Sequence, residues 1–230
     1  MRKILIAVIN CHGRDDCQDA IRSTWASLVP EGVDVIFFRG RGATREPRAD
    51  EVYLDCCDTY AGLPEKVRAV ILWALEKGYE RLVKVDDDVV LFPDELFKAG
   101  FENHDFYGNK NSDQGGPPTP WGFLYSLSKK SMEIMAAQSL PKGNNDELWC
   151  SKTLSLHGIG LHHEEKCYLQ RSRLLAPRKR PLRAPPRIAA IYPDPVPNTF
   201  AFCVYIQGFS PEKVEEFMKI WEREKCLREK

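Results

Sequence analysis

Strand and helix patterns alternate along residues 3–85, and this alternation constrains the fold more than any other feature. Four short segments have the pattern of strands: Lys3–Ile9, Val33–Phe38, Glu51–Leu54 and Arg81–Val85. Two segments between them carry apolar residues at helical spacing: Cys17–Leu28 and Gly62–Lys77. Such alternation predicts an α/β fold with a mostly parallel sheet and crossover helices. Ligands of these sheets bind at the carboxyl ends of the strands.

The composition suits one globular domain and argues against two other classes of protein. The chain has 230 residues, 43% of them hydrophobic, and its 33 basic residues balance its 33 acidic ones. A disordered chain has a smaller apolar share and a larger net charge. A nucleic-acid-binding protein needs an excess of positive charge. We therefore predict a single domain over 1–230 and no nucleic-acid partner.

The pattern after residue 108 is less regular. It predicts, in order, a loop, a strand and two helices: Asn109–Pro120, Phe123–Leu127, Lys129 to about Ala137, and a helix through Leu156 that Asn144 or Asn145 caps. Ser210 and Pro211 form a favoured opening for a last helix. Four apolar residues of that helix are expected to face inward: Val214, Phe217, Met218 and Trp221.

A basic, proline-rich stretch over 166–193 contains no acidic residue. It predicts a loop, for which three interpretations stay open. The stretch is a solvated surface loop, a loop that grips an anion such as a diphosphate or an acidic acceptor, or an arm that binds nucleic acid. The third is the weakest, because no aromatic residue is interleaved with the arginines before Tyr192.

The apolar run after Met1-Arg2-Lys3 covers only Ile4–Ile9. It is therefore shorter than the apolar region of a signal peptide, which has roughly 7–15 residues. No other stretch approaches the length of a membrane span, so we predict no span in this chain and a cytoplasmic location. The eight cysteines form no C-x-x-C pair, which favours reduced thiols over disulfides.

Three adjacent carboxylates, Asp86, Asp87 and Asp88, follow the predicted strand Arg81–Val85. They repel one another unless a cation neutralises them, and hard divalent ions such as Mg²⁺ or Mn²⁺ take oxygen ligands. The alternative is a turn or a helix cap, both of which favour aspartate.

Five sequence blocks between residues 4 and 163 resemble those of family 31 glycosyltransferases, the β-1,3-galactosyltransferase and Fringe-like family. Ala20–Trp25 is similar to R-x-x-I-R-x-T-W, and Tyr53–Trp73 to the block Y-x-D…D-x-Y-x-x-L-x-x-K…W. Lys84–Val89 resembles the metal motif K-x-D-D-D-V, and Gly122–Ser128 resembles G-x-x-Y-x-x-S. Asp146–Cys150 stands where the family has E-D-V-x-V.

This resemblance implies a GT-A type fold with a Rossmann-like sheet, a nucleotide-sugar-binding half in 1–108 and an acceptor half in 109–230. It implies inverting, possibly β-1,3-linked transfer of a hexose or N-acetylhexosamine from a UDP-sugar to a glycan, glycolipid or glycoprotein. It also implies either a soluble microbial or viral relative in the cytoplasm or, if an anchor is absent from this chain, a location in the Golgi lumen. The metal, Mn²⁺ or Mg²⁺, would be held by Asp88, with Asp86 as a further ligand or facing the donor ribose and Asp87 supporting the site.

Inverting transfer needs a base that deprotonates the acceptor hydroxyl. The resemblance assigns it to Glu147, with Asp146 as the alternative. The pair also suits the acidic first turn of a helix.

Two further features, the pair His162 and His163 and the residue Arg22, have both a functional and a structural interpretation. His162 or His163 would be a third metal ligand or an exposed loop pair. Arg22 would orient the first loop near the nucleotide or pair with a buried carboxylate. His12 would flank the nucleotide.

Two other functions stay open at this stage: a nucleotide-sugar or carbohydrate-binding protein with little turnover, and a nucleotidyltransferase. The second lacks support, because no glycine-rich phosphate loop with a lysine lies near the N-terminus.

Overall fold

The structure of the protein is a computed structural model that describes residues 3–111, 116–164, 167–170, 201–204, 211–212 and 214–219. The side chains of 167–170 and 201–204 lie outside this description. The described residues include the strands β1 (Ile4–Ile9), β2 (Val33–Arg39), β3 (Glu51–Tyr53), β4 (Arg81–Asp86), β5 (Val89–Leu91), β6 (Phe106–Asn111), β7 (Thr119–Ser128), β8 (His162–His163), β9 (Cys167–Gln170) and β10 (Ala201–Val204). They also include the helices α1 (Asp15–Ser23), α2 (Leu63–Glu76), α3 (Pro93–Lys98), α4 (Lys129–Ala136) and α5 (Asp146–Leu156), and helical residues at 211–212 and 214–219.

The central sheet has seven strands in the order β3-β2-β1-β4-β7-β6-β8. Strands β3, β2, β1 and β4 are parallel, β7 runs antiparallel to both β4 and β6, and β8 is parallel to β6. The predicted α/β class, with a mostly parallel sheet flanked by helices, is therefore confirmed. The carboxyl ends of β1 and β4 meet, since Ile9 is paired with Asp86.

Strand β1 is buried on both faces, which explains its continuous apolar run. Ile6 and Val8 belong to one hydrophobic cluster, together with Trp25 of the first crossover. Leu5 and Ala7 point into the opposite cluster, which includes apolar residues of α2, α4 and α5.

A second sheet of three strands, ordered β5-β10-β9, lies outside the predicted pattern. Strand β5 pairs antiparallel with β10, and β10 pairs parallel with β9. Strand β9 begins the basic stretch 166–193, so the prediction of a loop throughout that stretch is wrong at its start. The rest of the stretch lies outside the described residues.

The predicted loop Asn109–Pro120 is also too long. Strand β6 continues to Asn111 and β7 begins at Thr119, with Lys110 opposite Pro120. The two strands pair as far as Asn111 and Thr119, with a register shift between Gly108 and Lys110.

The first predicted helix, Cys17–Leu28, is divided in two. Helix α1 ends at Ser23, and a short 3₁₀ helix covers Trp25–Leu28. Thr24 adopts a non-helical ψ of −109°, and its hydroxyl donates a hydrogen bond back to the Ala20 carbonyl at 2.5 Å.

The predicted caps and inward-facing residues of the later helices are partly confirmed. The Asn145 side chain caps α5 by accepting a hydrogen bond from Leu148 N at 2.7 Å. Residues 211–212 and 214–219 are helical, and Val214, Phe217 and Met218 are buried as predicted. Ser210 and Trp221 lie outside the described residues.

Two further observations concern the environment of the chain. None of the helices in the described ranges has the length and apolar character that a membrane span needs. Five cysteines in those ranges are unpaired: Cys11, Cys17, Cys56, Cys57 and Cys150.

Trp25 joins the first crossover to β5, the strand that follows the three aspartates. Its side chain is fully buried, and its indole Nε1 donates a hydrogen bond to the Val89 carbonyl at 3.0 Å. We expect Trp25→Ala to lower the free energy of unfolding by about 3–5 kcal/mol, because it leaves a large cavity. Trp25→Phe retains most of the packing and should cost about 1–3 kcal/mol for the unpaired carbonyl. Urea unfolding measures both, and equal losses would contradict this assignment.

Candidate active site

Two groups of acidic residues, Asp86–Asp88 and Asp146–Glu147, lie at the same end of the central sheet. Strand β4 ends at Asp86, and its neighbour β7 carries Gly122 opposite the first turn of α5. Glu147 lies in that turn, so the two acidic groups predicted from sequence face the same region.

The three aspartates differ in how fully they are engaged. Asp86 forms an ion pair with Lys84, and its side chain is 34% exposed. Asp87, 8% exposed, accepts a hydrogen bond from Asn10 Nδ2 at 2.6 Å and pairs with Arg14 at 3.0 Å. Asp88 is 21% exposed, and Arg14 lies 3.9 Å from its carboxylate. Asp88 therefore combines exposure with a distant ion-pair partner.

The electrostatics of this cluster favour a bound cation. Desolvation and the neighbouring aspartates raise the pKa of Asp86 to about 6 and that of Asp87 to about 7, although Lys84 and Arg14 act in the opposite direction. Desolvation also raises the pKa of Asp88. Burial is the largest cause in each case, and a cation bound beside these carboxylates would favour their charged forms.

The residues present fit a divalent cation that is shared with a ligand. Within the described ranges, no three His, Cys, Asp or Glu side chains converge as a complete protein ligand set. Mg²⁺ and Mn²⁺ sites commonly need only one or two carboxylates, because phosphate oxygens and waters supply the rest. Adjacent carboxylates at a strand end satisfy that requirement.

Lys84 connects the two acidic groups. Its side chain is 2% exposed, and its Nζ donates hydrogen bonds to the Asp86 carboxylate and to the Gly122 carbonyl. The pKa of Lys84 is raised, because attraction to Asp86, Asp146 and Glu147 outweighs the cost of burial. Sequence reasoning assigned no role to this residue beyond its place in the metal motif.

Asp146 and Glu147 have different environments. Asp146 is 2% exposed and accepts a hydrogen bond from the Tyr125 hydroxyl at 2.6 Å. Glu147 is only partly buried, and its carboxylate lies over Gly122. Burial and the adjacent Asp146 raise the pKa of Glu147 to about 7. Glu147 thus combines a partly accessible carboxylate with a raised pKa, whereas the Asp146 side chain is buried.

The structure does not bring His162 and His163 to the aspartates. Strand β8 is separated from β4 by β7 and β6, which is three strand spacings or about 14 Å. His163 Nδ1 accepts a hydrogen bond from Lys110 N at 3.0 Å, and the His162 ring stacks on His104 at 3.5 Å. Both histidines are exposed, which matches the structural alternative.

Arg22 forms the structural ion pair that was its second interpretation. It donates to both Asp50 carboxylate oxygens, at 2.7 and 2.9 Å, and to Glu51 at 2.8 Å. The Glu51 carboxylate is fully buried, and burial opposes its charge. Arg45 and Arg22 nevertheless lower its pKa to about 2.

Asn10 is a buried junction beside Asp87 that sequence reasoning missed. Its side-chain oxygen accepts hydrogen bonds from Arg39 at 2.8 Å and Gln18 at 3.0 Å, while its nitrogen donates to Asp87. A lone asparagine after a strand gave no signal of this role.

His12 lies in a loop that Asp58 holds in place. Asp58 accepts hydrogen bonds from the backbone N of His12 at 2.7 Å, from Gly40 N at 2.5 Å and from Lys66 Nζ at 2.7 Å. The His12 ring bonds through Nε2 to the Gly40 carbonyl at 2.9 Å. The loops after β1 and β2 are therefore fixed to each other at the carboxyl ends of their strands.

We expect Asp58→Asn to lower the free energy of unfolding by about 3 kcal/mol, because it leaves the buried Lys66 ammonium without its counter-ion. Asp55→Asn is the control, since Asp55 is 92% exposed and pairs with the exposed Arg41. Urea unfolding of both variants compares the two aspartates. A similar, small loss for both would contradict the role of Asp58 in holding the loops after β1 and β2 together.

Residues 17–117 match the sequence model of the galactosyltransferase family. The family resemblance predicted from the sequence blocks is confirmed over this range, which includes the three aspartates. No curated protein sequence matches the chain.

Many solved structures are similar to this chain, and three of them illustrate the range. A protein described as a nucleotide-diphospho-sugar transferase, from Desulfovibrio desulfuricans G20, is 13% identical over 71% of this chain and 80% of its own, with a TM-score of 0.48. A glycosyltransferase involved in the glycosylation of the major capsid of PBCV-1 is 14% identical over 94% and 98%, with a TM-score of 0.49. The glycosyltransferase GlyE of Streptococcus pneumoniae TIGR4 is 8% identical over 72% and 46%, with a TM-score of 0.41. Because all three TM-scores lie below 0.5, the functional interpretation rests on the family match and on the site.

Proposed function

We propose that this chain, which resembles the galactosyltransferase family over residues 17–117, is a metal-dependent inverting glycosyltransferase. It would transfer a hexose or N-acetylhexosamine from a UDP-sugar to a hydroxyl of a glycan, glycolipid or glycoprotein. The observation that carries the proposal is the family match across the aspartate cluster, and the placement of Glu147 opposite that cluster supports it.

Asp88 and Asp86 would hold Mn²⁺ or Mg²⁺, since their carboxylates are the more exposed of the three. When bound, the cation would neutralise charge that develops on the leaving diphosphate. Asp87, bonded to Asn10 and Arg14, would support the strand end rather than contact the donor.

Glu147 would act as the base that removes the acceptor proton. A base works best when its pKa lies near the operating pH, and burial beside Asp146 raises the pKa of Glu147 to about 7. Asp146 is less suited as the base, because it is buried and already accepts a hydrogen bond from the Tyr125 hydroxyl. Asp146 would instead fix the first turn of α5.

The remaining predicted binding residues divide by position. His12 lies in the loop after β1, at the edge where nucleotides bind in such sheets, and would flank the donor. Arg22 is engaged with Asp50 and Glu51, which supports a role in holding α1 against β3. For the basic stretch 166–193 the solvated and the anion-gripping interpretations both stay predictions, because residues 171–193 lie outside the described residues.

The test is to incubate the protein with UDP-galactose, UDP-glucose or UDP-N-acetylglucosamine, with Mn²⁺ or with EDTA, and to measure released UDP. We expect release from at least one donor with Mn²⁺ and little with EDTA. Tight UDP binding without release from any donor would instead identify a nucleotide-sugar-binding protein. Release of pyrophosphate from nucleoside triphosphates would indicate a nucleotidyltransferase. A chain that neither binds UDP nor is stabilised by it would contradict the proposal.

A further inference from the structure

The carboxylate of Glu147 lies directly against the backbone of Gly122. A Cβ atom built on Gly122 would be 3.1 Å from Glu147 Cδ and 3.2 Å from each carboxylate oxygen. Ordinary van der Waals contact begins at 3.4 Å. Any larger residue at 122 would therefore displace the carboxylate.

We propose that Gly122 is a positioning residue for Glu147, because its lack of a side chain creates the space that the Glu147 carboxylate occupies. The inference rests on the proposed role of Glu147 as the base. It adds a second residue to that role, one that acts through Glu147 and does not touch the substrate.

The first turn of α5 is held on both sides of Glu147. Asn145 caps the helix through Leu148 N, and Asp146 is anchored by the Tyr125 hydroxyl. The backbone of Glu147 is thereby fixed, whereas its side chain is only partly buried. A methyl group at 122 is thus expected to move the carboxylate rather than the helix.

Gly122 also contacts the other acidic group through Lys84. The Gly122 carbonyl accepts a hydrogen bond from Lys84 Nζ, which bonds Asp86 as well. The backbone of Gly122 therefore contacts Glu147 on α5 directly and is connected to Asp86 at the end of β4 through Lys84. Moving Glu147 away from Gly122 changes its place relative to the donor side of the site.

Glycine inside a strand is unfavourable unless another group approaches the backbone closely. Gly122 lies within β7, where the Glu147 carboxylate is such a group. Gly160 offers a contrast, since a Cβ atom there would meet no atom within 4 Å.

The kinetic test compares Gly122→Ala with Gly160→Ala in the transfer assay. Gly122→Ala should lower kcat about 10-fold or more, as misplacement of a catalytic group does, and leave the donor KM within about twofold. It should also alter the pH dependence of kcat, because the altered group is the base. Gly160→Ala should change neither constant. Equal effects of the two variants on kcat, or a Gly122→Ala effect confined to KM, would overturn the proposal.

A second measurement needs no activity and so separates this proposal from the proposed function. Gly122→Ala, Glu147→Ala and the double variant form a cycle that thermal unfolding measures. The methyl group should lower Tm in the wild-type background and lower it less, or raise it, in the Glu147→Ala background. Equal Tm shifts in the two backgrounds would show that the contact does not exist. A wild-type protein that transfers no sugar would refute the proposed function and leave this cycle to decide the contact.

Discussion

Asp88→Ala is expected to abolish metal-dependent sugar transfer, lowering kcat/KM by about 100-fold or more. Asp88 is the proposed metal ligand whose ion-pair partner is most distant, with Arg14 3.9 Å away. The substitution would remove the proposed cation ligand and leave the Asp86–Lys84 and Asp87–Arg14 pairs intact. The fold should therefore survive, and circular dichroism can verify this.

Asp94→Ala is the matched control, because Asp94 is an exposed carboxylate on α3 six residues further along the chain. It should retain wild-type activity and the same Mn²⁺ dependence. An Asp88→Ala variant that keeps its activity, or that loses no more than Asp94→Ala, would contradict the assignment of the metal site.

Glu147→Gln should lower kcat by about 10²–10⁴-fold, the usual contribution of a general base. The amide is isosteric with the carboxylate, so UDP binding should be retained. It cannot, however, remove the proton from the acceptor hydroxyl. Asp146→Asn is the matched control on the adjacent residue. Its amide oxygen can still accept the Tyr125 hydroxyl proton, so the loss of kcat should be much smaller. The opposite order would assign the base to Asp146.

The pH dependence of the wild-type enzyme provides an independent test of the same residue. Burial and the adjacent Asp146 raise the pKa of Glu147 to about 7, and only the deprotonated carboxylate can act as a base. The rate of transfer should therefore rise as pH increases through about 7. This step should be missing from the residual activity of Glu147→Gln.

The sequence predicts most of the parallel part of the sheet because its signals are local. Strand β1 is a continuous apolar run since both of its faces are buried. The Asn145 cap and the acidic first turn of α5 also lie within a few residues of one another. Asp86 could be placed at the carboxyl end of a strand for the same reason, because the strand pattern ends there.

Features that depend on distant pairing were missed. Strand β5 has only three residues, Val89–Leu91, and its partner β10 lies more than 100 residues further on. Nothing near His162 and His163 indicates that they pair with β6 at the far edge of the sheet. Adjacent histidines therefore suggested a ligand pair where the chain forms an exposed strand.

Long-range contacts also hid several site residues. Lys84 is part of the K-x-D-D-D-V motif, but its hydrogen bond to the Gly122 carbonyl depends on the antiparallel pairing of β4 with β7. The contact between Gly122 and Glu147 depends on how α5 packs against β7. Residues this far apart along the chain form no local sequence motif, so a single sequence does not show that they are in contact.

A crystal structure of the protein with UDP and Mn²⁺ tests the central claim most directly. Anomalous scattering would locate the manganese without reference to any assumed site. We predict one ion at the end of β4, bound by the Asp88 carboxylate and by the UDP diphosphate. Manganese bound elsewhere, or UDP bound away from the carboxyl ends of β1 and β4, would contradict the proposed function.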